Sequence, residues 1–290
     1  MANVAFVVHP ERQEAVALAG RVGTWLRDQG HQVRVAEGQA QSLARGDDAG
    51  ADIDLAVSFG GDGTMLRAVE LVSPAGVPVL GVNLGQLGYL TEVEPAGLEP
   101  ALGRFLAGDY GVEERMTLQV EVRFAPRAGA DTEDGDAPRT RSCVALNEIV
   151  VEKSVPPGHT VRLAASIAER PFITYAADGI LVATPTGSTA YNLSARGPIV
   201  SPHLRALIVT PVSPHMLFDR PLVLDPSESV RLELLDAGPA VLLVDGSCIG
   251  ELGPGDVVVC RAGRHPARLV TFGRRDFHSI LKAKFNLTDR

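Results

Sequence analysis

Up to about residue 110, hydrophobic positions switch between two periods. Asn3 to Val8 is a short apolar run that predicts a strand. Ala15, Leu18, Ala19, Val22, Trp25 and Leu26 then recur at helical spacing, and Gly30 follows as a cap. Gln32 to Ala36 reads as a second strand. Ile53 to Phe59 reads as a third, so nearly all apolar that it is expected to be buried on both faces. It runs into Gly60-Gly61-Asp62-Gly63, after which Met65, Leu66 and Val69 predict a helix. Val77 to Val82 is a fourth strand, and Leu98, Leu102, Phe105 and Leu106 mark another helix. Such alternation predicts a Rossmann-like α/β domain, a parallel sheet with helices on its faces.

After about residue 115 the pattern changes. Leu118, Val120, Val122 and Phe124 alternate with polar residues, as in a half-exposed strand. Short strand-like runs recur at Val161 to Ile167, Phe172 to Tyr175, Leu207 to Thr210, Val230 to Leu235, Ala240 to Val244 and Val257 to Cys260. They predict an all-β sandwich. Ala125 to Ser142, rich in Gly, Pro, Asp and Arg, reads as a surface loop. Phe277, Ile280 and Leu281 recur at helical spacing in the tail. The expected domains are 1–114, α/β, and 115–271, all-β, with 272–290 packing back on the first.

Composition narrows the classes. The chain has 290 residues, 45% hydrophobic and 21% charged, enough for two domains with cores. Its 27 basic and 35 acidic residues give a net charge of −8, which argues against a nucleic-acid coat or an anionic-membrane binder. Only Lys153, Lys282 and Lys284 are lysines, so Arg dominates the basic side chains. Cys143, Cys248 and Cys260 have no CxxC spacing and lie in or beside apolar runs, so packing is expected rather than disulfide or zinc chemistry. The residues from Ala2 to Val8 carry no basic leader, and no apolar run approaches the ~18 residues of a membrane helix. A cytoplasmic location is expected.

Four runs could carry chemistry. Ser58 to Thr64 ends a buried strand in three glycines around one carboxylate, where α/β sheets bind ligands. There Gly60, Gly61 and Gly63 let phosphates approach, and Asp62 would meet a substrate hydroxyl or a metal. No Gly-Lys pair makes it a Walker loop, and it lacks the third glycine of the dinucleotide fingerprint. Gly81 to Leu90 follows the next strand and would line the same crevice. Asn147-Glu148 could grip ribose hydroxyls, but successive side chains of a strand point oppositely, so both reach one ligand only at a bulge or strand end. Tyr175 to Ser194 brackets an apolar strand with an Asp178-Gly179 turn and the hydroxyl-rich Thr184-Pro185-Thr186-Gly187-Ser188-Thr189 turn. Tyr191 offers a flat face for a base, while Ser188 or Thr189 would equally cap a helix. Pro211 to His215 is a substrate loop or a stiff turn, and Asp245-Gly246 reads as a hairpin. The histidines show no metal-ligand spacing, so no protein metal site is expected.

In this order and combination, the runs resemble the NAD kinase family. Gly-Gly-Asp-Gly alone is shared with lipid kinases and phosphofructokinases; joined to Asn-Glu and Thr-Pro-Thr-Gly-Ser-Thr-Ala-Tyr it is far more specific. The resemblance implies phosphorylation of the 2′-hydroxyl on the adenosine ribose of NAD, with Mg²⁺ or another divalent cation and ATP or polyphosphate as donor. Asp62 matches the family's catalytic aspartate. Gly63, Arg67, Asn147, Glu148, His159, Asp178, Thr189, Ala190, Tyr191 and Ser194 match positions around the dinucleotide. It also implies a homodimer or homotetramer joined through the second domain. Three positions depart from the pattern: Arg196 where a second glycine is usual, Ser247 where some members have Gln, and Ala176 where some have a basic residue. A lipid or sphingoid-base kinase, or an NAD(P)-binding sensor without turnover, are the competing readings.

Overall fold

Strand and helix alternate first: β1 (Asn3–Val8), α1 (Gln13–Asp28), β2 (Gln32–Val35), β3 (Leu55–Gly60), α2 (Asp62–Val72), β4 (Pro78–Asn83), α3 (Leu98–Leu106) and β5 (Gly111–Arg115). Strands then dominate: β6 (Leu118–Arg123), β7 (Thr140–Ala145), β8 (Glu148–Lys153), β9 (Val161–Ile167), β10 (Arg170–Ala177) and β11 (Gly179–Ala183). A short α4 (Tyr191–Ser194) precedes β12 (Leu207–Val212), β13 (Leu222–Leu224), β14 (Val230–Leu234), β15 (Ala240–Val244), β16 (Ser247–Leu252) and β17 (Val257–Ala262). The chain closes with β18 (Ala267–Thr271) and α5 (Phe277–Lys284). This computed structural model describes residues 1–36, 52–126, 139–154, 160–235, 238, 240–273 and 276–287. It divides into one unit of Met1–Arg115 with His265–Arg290 and a second of Met116–Arg264.

The first unit is the expected α/β layer structure. Its sheet runs β2-β1-β3-β4-β18-β5, parallel except for the edge pair β18–β5. Every residue of β3 and β4 is buried, which is why both read as apolar runs without alternation. On one face α1 and α3 share a core with Phe6, Leu55, Val57, Phe59 and Leu80. α2 buries Met65, Ala68, Val69 and Val72. The strand order reverses at β1, which pairs β2 on one side and β3 on the other, so the carboxyl ends of β1 and β3 form the switch point at which such sheets bind ligands. β18 lies in this sheet, so the chain rejoins the first unit at His265, ahead of the expected residue 272. Arg268 and Leu269 pair with β4; its short alternating pattern gave no hint of which sheet it would join.

The second unit is the expected antiparallel sandwich, with sheets β10-β9-β14-β17-β6-β7 and β13-β12-β11-β8-β15-β16. Ile149 and Val151, Ile180 and Val182, and Leu207 and Val209 point into the core between them. The opposite face of β8, β11 and β12 is also closed, by Val150, Leu181, Ala183 and Ile208 against Val200. Of the loop expected over Ala125 to Ser142, Thr140 to Ser142 are strand and 127–138 lie outside the described residues. Cys260 is buried as expected and Cys143 partly so, but Cys248 is exposed because β16 is an edge strand.

Candidate functional site

In the first unit the site is built at the end of β3. Gly61 is in extended conformation and α2 starts at Asp62. A Cβ on Gly60 would meet the Thr64 hydroxyl at 2.1 Å, so that position admits only glycine, whereas Gly61 and Gly63 face open space. The Asp62 carboxylate is held on both oxygens, Oδ2 accepting the Tyr89 N–H (2.8 Å) and Oδ1 the Leu90 N–H (3.0 Å). The loop after β4 thus clasps the carboxylate and leaves its remaining lone pairs for another partner. Gly88 permits this approach, since a Cβ there would lie 2.4 Å from Asp62 Oδ1.

That loop is anchored at several points. Leu84 N–H donates to Gly60 O (2.8 Å), and Arg12 Nη1 donates to Leu84 O (2.7 Å). Asn83 Nδ2 donates to Glu94 (3.0 Å). Phe277 of α5 lies 6.2 Å from the Tyr89 ring, and Lys284 Nζ sits 4.6 Å above that ring. Burial, and then the Asp62 charge, push the Tyr89 phenol above its ordinary value. Arg67 is exposed on α2, roughly 140° round the helix from Asp62, and so faces a different direction.

In the second unit the candidate residues converge on the outer side of β8 and β11. Asn147 stands just before β8 and Glu148 is its first residue, which meets the strand-end condition for both to serve one ligand. Thr184 N–H donates to Asn147 O (2.9 Å), and the Thr184 hydroxyl donates to Leu146 O (2.5 Å). A tight 3-10 turn over Thr186–Thr189 follows. Ser188 is fully buried and exchanges hydrogen bonds with the Val200 backbone, at 3.0 Å each. Two of the turn's hydroxyls therefore hold the protein together rather than facing a ligand. Thr189 and Ala190 are half-buried, while Tyr191 and Ser194, three apart on α4, share one exposed side.

Charge gathers beside Tyr191. Its hydroxyl bonds Glu152; burial first, then the Glu152 charge and this bond, with smaller effects of Asp178 and Glu148, raise its pKa. Asp178 pairs with Lys153 (2.7 Å) and lies 3.6 Å from His215 Nε2. Glu148 is 7% exposed; its carboxyl accepts the Tyr191 N–H, yet Oε2 has no partner among the described residues. Burial, with the nearby Asp245 charge, pushes it up to about 8 against the pull of that N–H. His159 lies outside the described residues.

Sequence reasoning passed over three of these groups. In the sequence Lys153 stands out only as a rare lysine, Glu152 not at all, and Asp245 only as a hairpin residue. The signal for Glu152 is β8 itself: Glu148, Val150 and Glu152 share a face, but three consecutive apolar residues hide the alternation. For Asp245 no local signal existed. The departure at Arg196 has a local meaning: its φ is +65°, a region that favours glycine. Arg196→Gly is expected to raise unfolding stability by about 1 kcal/mol, read from urea denaturation.

Residues 44–110 match the model of the ATP-NAD kinase N-terminal domain and residues 146–272 that of the ATP-NAD kinase C-terminal domain. An NAD kinase of Heliobacterium modesticaldum is 42% identical over 290 residues, covering 98% of each chain. One from Moorella thermoacetica is 44% identical over 229 residues, 79% of this chain and 70% of that one. The fold is shared with yeast NADH kinase complexed with NADH, at TM-score 0.85 and 24% identity over 100% of this chain and 89% of that one. It is shared too with an Archaeoglobus fulgidus NAD kinase in complex with ATP, at TM-score 0.66 and 24% identity over 99% and 96%. A chain matched in both units by the family's own domain models, and nearly end to end by a 42%-identical relative, belongs to the NAD kinase family.

Proposed function

We propose that the protein transfers a phosphoryl group from ATP or polyphosphate to the 2′-hydroxyl of the adenosine ribose of NAD, giving NADP. The observation that carries this reading is the Asp62 carboxylate, fixed at the carboxyl end of β3 by the Tyr89 and Leu90 N–H groups. A ribose hydroxyl is a weak nucleophile at neutral pH, and an oriented carboxylate can accept its proton as the new P–O bond forms. Open space beside Gly61 and Gly63, at the start of α2, suits the donor phosphates. Asn147, Glu148, Asp178, Thr189, Ala190, Tyr191 and Ser194 hold NAD in this reading, with Arg67 and His159 as further contacts.

Among the described residues no cluster of three or more His, Cys, Asp or Glu could hold a metal ion. In this reading an Mg²⁺ ion arrives on the donor's phosphates, as is usual for that cation. When bound there, Mg²⁺ neutralises charge on the transferring group. Self-association through the second unit, supported by exposed Phe172, Leu217 and Val223, and a cytoplasmic location belong to the same proposal. No helix among the described residues is long and apolar enough to cross a membrane.

The test is direct. Purified protein mixed with NAD, Mg²⁺ and either ATP or polyphosphate is expected to form NADP, followed by chromatography. NAD binding without NADP from either donor would replace this reading with that of a sensor.

A further inference from the structure

We propose that Asp245 is a positioning residue: it clamps the backbone of Leu146, Asn147 and Glu148 so that the buried Glu148 Oε2 is offered to the ligand as a hydrogen-bond donor. The clamp is explicit in the geometry. Asp245 Oδ2 accepts the Leu146 N–H (2.7 Å), and Oδ1 accepts those of Asn147 (2.8 Å) and Glu148 (3.0 Å). The Asp245 N–H in turn donates to Glu148 O (2.9 Å). Asp245 reaches this pose at φ +46°, a left-handed conformation that Asp and Asn tolerate better than most residues. A side chain that binds three successive amides fixes where the next side chain leaves the backbone.

The donor assignment follows from what surrounds Glu148. One oxygen takes the Tyr191 N–H, and Oε2 is buried without a partner among the described residues, in a residue only 7% exposed. The charge that acts on it is Asp245, of like sign. The Tyr191 phenol feels the Glu148 charge and is bonded to Glu152, with Asp178 nearby; the Lys153 ammonium and the His215 ring sit on Asp178 itself. Acids therefore outnumber bases around the carboxyl, and burial favours its neutral form. A neutral carboxyl kept in an apolar site to donate a hydrogen bond has precedent in enzyme chemistry. The ligand atom it fits is an acceptor, which a ribose hydroxyl oxygen supplies as readily as it supplies a donor. The ligand's identity rests on the proposed NAD kinase reading; the state of the carboxyl does not.

The experiment uses the intact protein and reads the two apart. Infrared difference spectra across pH 5–10 without ligand are expected to show a protonated-carboxyl C=O band that Glu148→Gln removes. In wild type this band should fade as pH rises through about 8, and NAD affinity by calorimetry should fall with it. Asp245→Asn keeps the size and the tolerated φ but removes the charge and one acceptor. Both transitions should move to lower pH, with NAD affinity at pH 7 reduced about ten- to a hundred-fold. In a Glu148→Gln background, Asp245→Asn should no longer shift the pH profile. Absence of the band in wild type, or an Asp245→Asn profile superposable on wild type, overturns the proposal. A well-behaved band in a protein that makes no NADP supports it while removing the kinase reading.

Discussion

Asp62→Asn is expected to lower kcat for NADP formation by about 10²–10⁴-fold, roughly 3–5 kcal/mol of transition-state stabilisation. The substitution changes little in shape. It replaces one carboxylate oxygen, now accepting a backbone N–H from Tyr89 or Leu90, by an NH₂ group, and it removes the basic lone pairs. The lost backbone bond acts on the loop and the lost base acts on the reaction, so the two are separable. Calorimetry with NAD alone should show affinity within a few fold of wild type, and the loss should appear in kcat rather than KM. Near-wild-type turnover with NAD still bound would remove Asp62 from the role of base.

Gly187→Ala is expected to be the most damaging single methyl group in the second unit. A Cβ there would stand 2.1 Å from Asn147 O, 2.5 Å from its carbonyl carbon and 2.7 Å from its Cα. All three are backbone atoms, so no rotamer change relieves the clash, and either the 3-10 turn or the start of β8 must move. Overpacking of this kind costs about 1–3 kcal/mol and more where nothing yields. The Thr184 N–H bond to Asn147 O lies beside the contact and would be strained with it. Urea denaturation should show the stability loss. NAD affinity should fall in parallel, because Asn147, Glu148 and Tyr191 are all tied to the displaced segments. Unchanged stability would mean the turn is not held against Asn147 as described.

Much of this was legible beforehand, for a physical reason. Buried parallel strands such as β3 must be apolar throughout, and α1 must carry its apolar face at helical spacing, so both announce themselves. The Gly60 to Asp62 run could be read because a strand-to-helix turn with close backbone approach restricts residue type. β8 was hidden because both its faces are covered at Ile149 to Val151, which erases the period of two. β5 and β13 were missed because they are short edge strands with little burial. The clamp on Asn147-Glu148 is the hardest case. Asp245 lies 97 residues beyond Glu148, and nothing near a common Asp-Gly turn says that its carboxylate caps another strand. Long-range pairing of a polar group with backbone leaves no periodic trace.

The place of β18 has a consequence for how the molecule is made. Among the described residues β5 has β18 as its sole partner in the first sheet, and β18 also covers the flank of β4. Ala267–Thr271 leaves the ribosome only after the whole of the second unit has been translated, so the half encoded first is the half completed last. A message truncated late in its reading frame would spare every strand of the sandwich and still leave the opening domain with an unfinished sheet.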